Sequence, residues 1–347
     1  MKGLLPVLIH VLSISLIISQ DYPKKKFYKR EKHAAKIMGR DDRKYGDHSG
    51  NRVLCRFYNH GSIGDQSSSF SGVYPIGSGH SYIWEFSPVV AASVVDTNGF
   101  RRHIVSDGIS GLVDASPEGT PWSFEPLSGY SNPNQENLAM SDNENSWPNS
   151  WPNRTEDWNG EWNGQYGKYV RADQESYFVV DDRYNSEFEF WPDQNDIPED
   201  PTVSPDEHRR GLGIEMEARG YQWNHPAAED IIIVTYWITN VGSSVLDSVV
   251  FGMYGDADIG GASSFSDDDA WFDTENDMVY QWDHDNWSSS YGGFRPAYFG
   301  WSFLESPGNP HDGIDNDGDG MIDESQFDGV DNDGDWDPER DDIGADG

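Results

Sequence analysis

From Gly50 onward, short runs of β-branched and aromatic residues alternate with clusters of Gly, Asn, Asp, Ser and Pro. That rhythm predicts strands and turns rather than helices. VLCRFYN (53–59) reads as a first strand, stopped by the turn-prone HGSIGD. The runs 89–96 and 100–106 flank DTNG, and Asn98-Gly99 tolerates the positive φ that a tight hairpin demands. Strand character returns in ESYFVVDDR (175–183) and is strongest in GLGIEMEARGYQW (211–223), DIIIVTYWITN (230–240) and SVLDSVVFGMYGDADIG (244–260). Within 230–240, Ile232, Val234, Tyr236 and Ile238 share one face of the pleat, and Ile231, Ile233, Thr235 and Trp237 take the other. Apolar residues on both faces predict a central strand of a sandwich, and Val241-Gly242-Ser243 reads as a tight turn into the next run.

Between these strand-rich regions lies GYSNPNQENLAMSDNENSWPNSWPNRTEDWNGEWNGQYG (129–167). Pro148, Pro152, Gly160 and Gly164 interrupt any helical period, and the length of the segment marks it as a candidate functional loop. Trp147, Trp151, Trp158 and Trp162 fall within sixteen residues of one another, mixed with Asn, Gly and Asp. They are the candidate ligand-binding residues, because exposed rings beside amides stack on sugar rings. Packing back over the sheet is the simpler account, since Trp is mostly buried.

The N-terminus, MKGLLPVLIHVLSISLIISQ, has the plan of a secretory signal: Lys2, an apolar run from Leu4 to Ile18, and the small residue Ser19. The run is short for a membrane span. Cleavage is expected near Ser19 or Gln20, although Pro6 and His10 make the apolar run imperfect. The mature chain then has no transmembrane segment, and the protein is secreted or displayed at the cell surface. Export permits disulfides, yet Cys55 is the only cysteine and reads as a small buried apolar residue of the first strand. Stability therefore rests on apolar packing and on metal.

Charge is uneven. Residues 24–44 hold ten of the twenty-four Lys and Arg, whereas 45–347 carry thirteen bases against fifty-seven acids, a net of −44. Such a body excludes nucleic acid as a partner and suits divalent cations. The basic stretch reads as a solvated linker between signal and first strand. The densest acidic segment is DGIDNDGDGMIDESQFDGVDNDGDWDPERDD (312–342). Its two halves repeat after sixteen residues. In the first, Asp315, Asp317 and Asp319 alternate, Gly320 follows, Met321 offers a carbonyl and Asp323 comes four residues after Asp319. Calcium takes six to eight oxygens, and alternate residues of a curled loop aim their carboxylates at one centre. The second half offers Asp331, Asp333, Asp335, Asp337, Glu339 and Asp342, with Trp336 where the turn wants Gly. In the first half Gln326 stands where a closing acid is expected. A second acidic group comprises Asp256, Asp258, Asp267 to Asp269, Asp273, Asp277, Asp283 and Asp285. Loops at one end of a sandwich would gather these around another ion, but the spacing matches no ligand motif and solvated loops are the simpler account.

The pattern YWITNVG followed by VVFGMYGDADIG resembles immunoglobulin-like sandwich modules of large bacterial secreted proteins, over roughly 175–305. The acidic loops resemble EF-hand-like loops without flanking helices, as in the thrombospondin type 3 repeat. Together the layout resembles uncharacterised exported bacterial proteins. The resemblance implies a mainly β chain: one or more immunoglobulin-like β-sandwiches with long loops, followed by an irregular calcium-binding repeat segment. The expected parts are a signal peptide (1–20), a basic linker (21–50), a β-rich region (51–130), the Trp/Asn/Pro-rich loop (131–167), the sandwich (168–304) and the acidic calcium-binding repeats (305–347), where stopping inside a repeat reads as truncation.

The sequence contains no G-x-S-x-G, H-E-x-x-H, Walker or dinucleotide-binding motif, and its histidines are scattered. The expected function is therefore non-catalytic: an exported or surface protein, not an enzyme, whose repeats take calcium as cofactor and form a rigid spacer in an extracellular or adhesive assembly. Its expected partners are calcium ions and a polysaccharide or another surface protein. The alternatives are a calcium-dependent carbohydrate-binding module and a polysaccharide hydrolase with its site in the β-rich body.

Overall fold

The computed structural model describes residues 8–18, 43–64, 69–110, 115, 122–193, 209–261, 264–274 and 276–305. The linker candidates 21–42, the acidic repeats and every calcium-ligand candidate between Asp315 and Asp342 lie outside the described residues. The described chain is mainly β. In chain order the strands are β1 (Leu8–Ile18), β2 (Tyr45–His48), β3 (Cys55–Tyr58), β4 (Glu85–Val95), β5 (Arg101–Asp107), β6 (Glu125–Pro126) and β7 (Ala139–Met140). They continue with β8 (Gln174–Asp181), β9 (Ile214–Gln222), β10 (Ile233–Asn240), β11 (Asp247–Asp256), β12 (Asp268–Asp273), β13 (Met278–Asp283) and β14 (Tyr298–Glu305).

A large sheet runs β12-β13-β14-β1-β10-β9-β8-β6, with β7 also on β8; a smaller one runs β11-β4-β5, and β2 pairs with β3. All pairings of these strands are antiparallel except those of β1, which runs parallel to both β10 and β14. The β4–β5 hairpin forms where DTNG predicts it. Asp96 Oδ1 accepts from the N–H groups of Asn98 and Phe100, and Gly99 sits at φ 80°. The Val241–Ser243 turn does something the local pattern does not announce. It carries the chain from β10 in the large sheet to β11 in the small one, and β11 then pairs with β4.

The two regions that the sequence pattern separates, 51–130 and 168–304, share one core. Phe57, Phe86, Val90, Ala92 and Ile104 from one side meet Phe178, Val180, Met216, Ala218, Val234, Tyr236 and Ile238 from the other, with Cys55 buried among them. As the alternation predicts, Ile232, Val234, Tyr236 and Ile238 are buried, while Ile233, Thr235 and Trp237 are partly covered. Close approach at β9 depends on a missing side chain: a Cβ on Gly220 would meet His48 Nε2 at 2.7 Å and Phe57 at 2.8 Å. His48 is buried, bonds Ser176 Oγ at 2.8 Å, and is pushed down to about 3 by desolvation, so it stays neutral.

The outer face of β8 is covered by the Trp-rich loop. Trp151, Trp162, Tyr130, Ala139, Tyr177 and Val179 form a second cluster there, with Trp147 and Trp158 packed at its margin. The loop thus forms a third layer over the large sheet.

Candidate metal centre

Between residues 256 and 294 the chain carries ten Asp or Glu and no Lys or Arg. The fold concentrates part of this charge at the base of the β12–β13 hairpin. A short 3-10 turn (Phe265–Asp267) delivers Asp267, β13 ends at Asp283, and Asp285 follows in the turn where Asn286 takes φ 56°. One carboxylate oxygen from each of Asp267, Asp283 and Asp285 lies within 4.8 Å of the other two. Asp283 is buried and held from both sides, accepting from Ser264 Oγ at 2.7 Å and from the Trp287 N–H at 2.7 Å. Asp267 and Asp285 are exposed.

The ladder adds a fourth carboxylate. Asp268 stands directly across from Asp283, and like charges in facing positions destabilise a strand pair. Asp268 Oδ2 accepts from the Ile259 N–H at 2.8 Å, whereas Oδ1 is buried with no hydrogen-bond partner. Burial, reinforced by Asp283, Asp258 and Asp267, pushes the Asp268 carboxyl up to about 7. Asp258 is shifted upward too, by burial and by Asp256. His284 turns to Asp269, Nδ1 to Oδ2 at 2.6 Å, and that hydrogen bond raises its pKa. Asp273 and Asp277 lie at the far end of the hairpin, away from this group.

Three hard oxygens converging without nitrogen or sulfur ligands suit calcium, magnesium or manganese rather than zinc or copper. A divalent ion there would offset the repulsion between facing strands. The sequence places these acids in one candidate group; the structure brings Asp267, Asp283 and Asp285 of it together and sets Asp268, from the same group, across the ladder from Asp283. Spacing could not make that selection, because the ligands come from a 3-10 turn, a strand end and the turn after it. The legible signal was the long stretch free of Lys and Arg.

The tryptophans have a different environment. Trp151 and Trp162 are buried, their centroids 6.1 Å apart at 88°, and Trp151 also packs on Tyr177 at 5.8 Å. Their indole N–H groups donate inward, Trp162 to Glu175 Oε2 at 2.6 Å and Trp151 to the Glu161 carbonyl at 3.0 Å. Trp147 donates to the Met140 carbonyl at 2.7 Å. The Trp158 ring is flanked by the Arg154 guanidinium at 4.5 Å and Lys168 Nζ at 5.4 Å. The buried pair therefore offers no ring face to a sugar, and the half-buried pair offers little. Exposed rings near the carboxylates include Phe265 and Trp287, and Tyr166 and Tyr169 are exposed at the end of the Trp-rich segment.

No family model, curated protein or solved structure matches the chain. Among the described residues, no helix is long and apolar enough to cross a membrane.

Proposed function

We propose that this chain is a non-catalytic, exported calcium-binding protein built on an immunoglobulin-like β-sandwich. Calcium is held at the Asp267–Asp283–Asp285 centre of the body and in the acidic repeats of 312–342, which act as a rigid spacer toward a surface partner. The observation that carries the reading is the convergence of three carboxylates in a region that supplies no Lys or Arg. Two facing sheets around one core support the sandwich. The sixteen-residue repeat of D-x-D-x-D supports calcium independently of the body, and the charge-poor N-terminal run supports export.

Extracellular calcium modules bind in the range of roughly 10⁻⁴–10⁻³ M. At ten times Kd one site adds about 1.4 kcal/mol to stability, which orders loops rather than building a fold. The test is a calcium titration of the whole chain followed by near-UV circular dichroism. A saturable change below about 10 mM calcium is expected from that affinity range; a flat spectrum at that concentration removes the proposal.

A second reading, a calcium-dependent carbohydrate-binding module, is favoured by one observation. Phe265 and Trp287 are about half exposed, each two residues from a carboxylate of the centre. Glycan retention that requires calcium and is lost in Trp287→Ala would move the function to this reading.

A further inference from the structure

β1 occupies an unusual place. It lies in the interior of the large sheet, between β10 and β14, although its residues are those expected to leave with the signal peptide. Along β10 the match is regular, six consecutive pairs from Ser13↔Ile233 to Ile18↔Ile238. Along β14 it is not: the register shifts between His10 and Ser13 and again between Ile14 and Ser15. By comparison, β9 and β10 pair over eight residues without a slip. The N-terminal segment therefore fits one rim of its lane and misfits the other.

The lane itself is built without β1. β10 is fixed by β9 and by the buried row Val234, Tyr236 and Ile238. β14 is fixed from the other side by rings: Phe86 of β4 meets Phe299 at 5.2 Å and Trp301 at 4.8 Å, both edge-on. Just before β14, the Ala297 N–H donates to Tyr82 Oη at 3.1 Å. Removing β1 leaves a gap of about two strand spacings, roughly 9.5 Å, with two facing rows of unpaired backbone groups. Such edges, long and apolar, do not remain open in a stable secreted protein.

We infer that the lane between β10 and β14 is a strand-acceptor site, and that in the exported chain it is filled by an uncharged, apolar β-strand from a partner polypeptide running parallel to β10. The inference rests on the export reading, since it needs residues 1–20 to be removed. The occupant's chemistry follows from the strand seated there now. LIHVLSISLII contains no acidic or basic residue apart from one His, and a chain of net charge −37 disfavours an acidic strand. Backbone ladders on both sides supply affinity, and alternate apolar side chains supply selectivity.

The experiment uses the chain 21–347 and a fluorescent peptide of Leu8–Ile18 carrying solubilising lysines at its ends. Anisotropy should show saturable binding, weakened at least about tenfold when the peptide carries Ile14→Pro, because Pro removes a ladder donor. A photocrosslinker at Ile14 should mark β10 and β14, whose Val234 and Phe303 pair with it here. Should the shortened chain fail to fold, a protease site placed between residues 20 and 43 of the full chain, cut after folding, leaves an exchangeable strand for the same assay. No saturable uptake, equal binding of the Pro peptide, or dimers of 21–347 that exclude the peptide would each overturn the inference. Intact mass of the protein recovered outside the cell tests the premise separately: loss of residues 1–20 is expected, and their retention leaves β1 in the lane and overturns the inference whatever the peptide assay shows.

Discussion

At the scale of single residues, two aspartates carry measurable consequences. Asp268 has its carboxyl raised to about 7, above the ordinary value of an unfolded chain. Between about pH 4 and pH 7 the folded chain keeps a proton there that the unfolded chain has released, so this group's contribution to stability falls as pH rises. Asp268→Asn, which retains an oxygen for the Ile259 N–H, should flatten that slope and raise the calcium-free melting temperature at pH 8; an unchanged slope refutes the assignment. Calcium uptake would ionise Asp268, so calcium affinity should increase with pH through about 7. Asp182 is raised to about 6 by burial and by Asp181, and it accepts from Ser106 Oγ and from the N–H groups of Leu212 and Ile214. It ties β5, β8 and β9 together. Asp182→Ala strands those donors in the core and should cost about 3 kcal/mol or more in urea unfolding.

At the scale of elements, strands were legible where their own residues specify them and obscure where a distant partner does. β10 was readable because both of its faces are apolar, and the β4–β5 hairpin because Asp96, Asn98 and Gly99 encode the turn within five residues. The crossing at Val241–Ser243 was not. Its N–H groups are received by the carbonyls of Gly213 and Pro192, which lie 28 to 51 positions earlier in the chain. The Trp-rich segment was legible as a loop, but its docking on β8 depends on Tyr177 and Val179, which the loop's own sequence does not mention. That docking makes a prediction. Trp162→Ala empties a buried site and strips the buried Glu175 Oε2 of the donor at 2.6 Å, so it should cost about 3–5 kcal/mol. Trp158→Ala, at the margin under Arg154 and Lys168, should cost about 1 kcal/mol, the scale of exposed cation–π contacts. Equal losses in chemical denaturation would show that the loop does not pack as a layer.

At the scale of the whole molecule, one core joins both halves of the body, and the acids gather at the hairpin base. The repeats in 312–342 were readable because each loop draws its ligands from one short stretch, with alternation and a Gly turn visible in the letters. The centre in the body was not, because it needs a fold before its three carboxylates meet. Its charge does have a whole-molecule signature: stability in low salt should rise with any added electrolyte through screening, and further with calcium through binding. The most direct measurement is differential scanning calorimetry of the body transition at matched ionic strength, in about 10 mM calcium and in chelator, a concentration set by the weak extracellular affinity range. The wild-type transition should rise by about 2 °C with calcium, and Asp267→Asn/Asp285→Asn, both exposed positions, should abolish that rise. The same calcium shift in wild type and double variant, or none in either, would contradict a calcium centre at Asp267, Asp283 and Asp285.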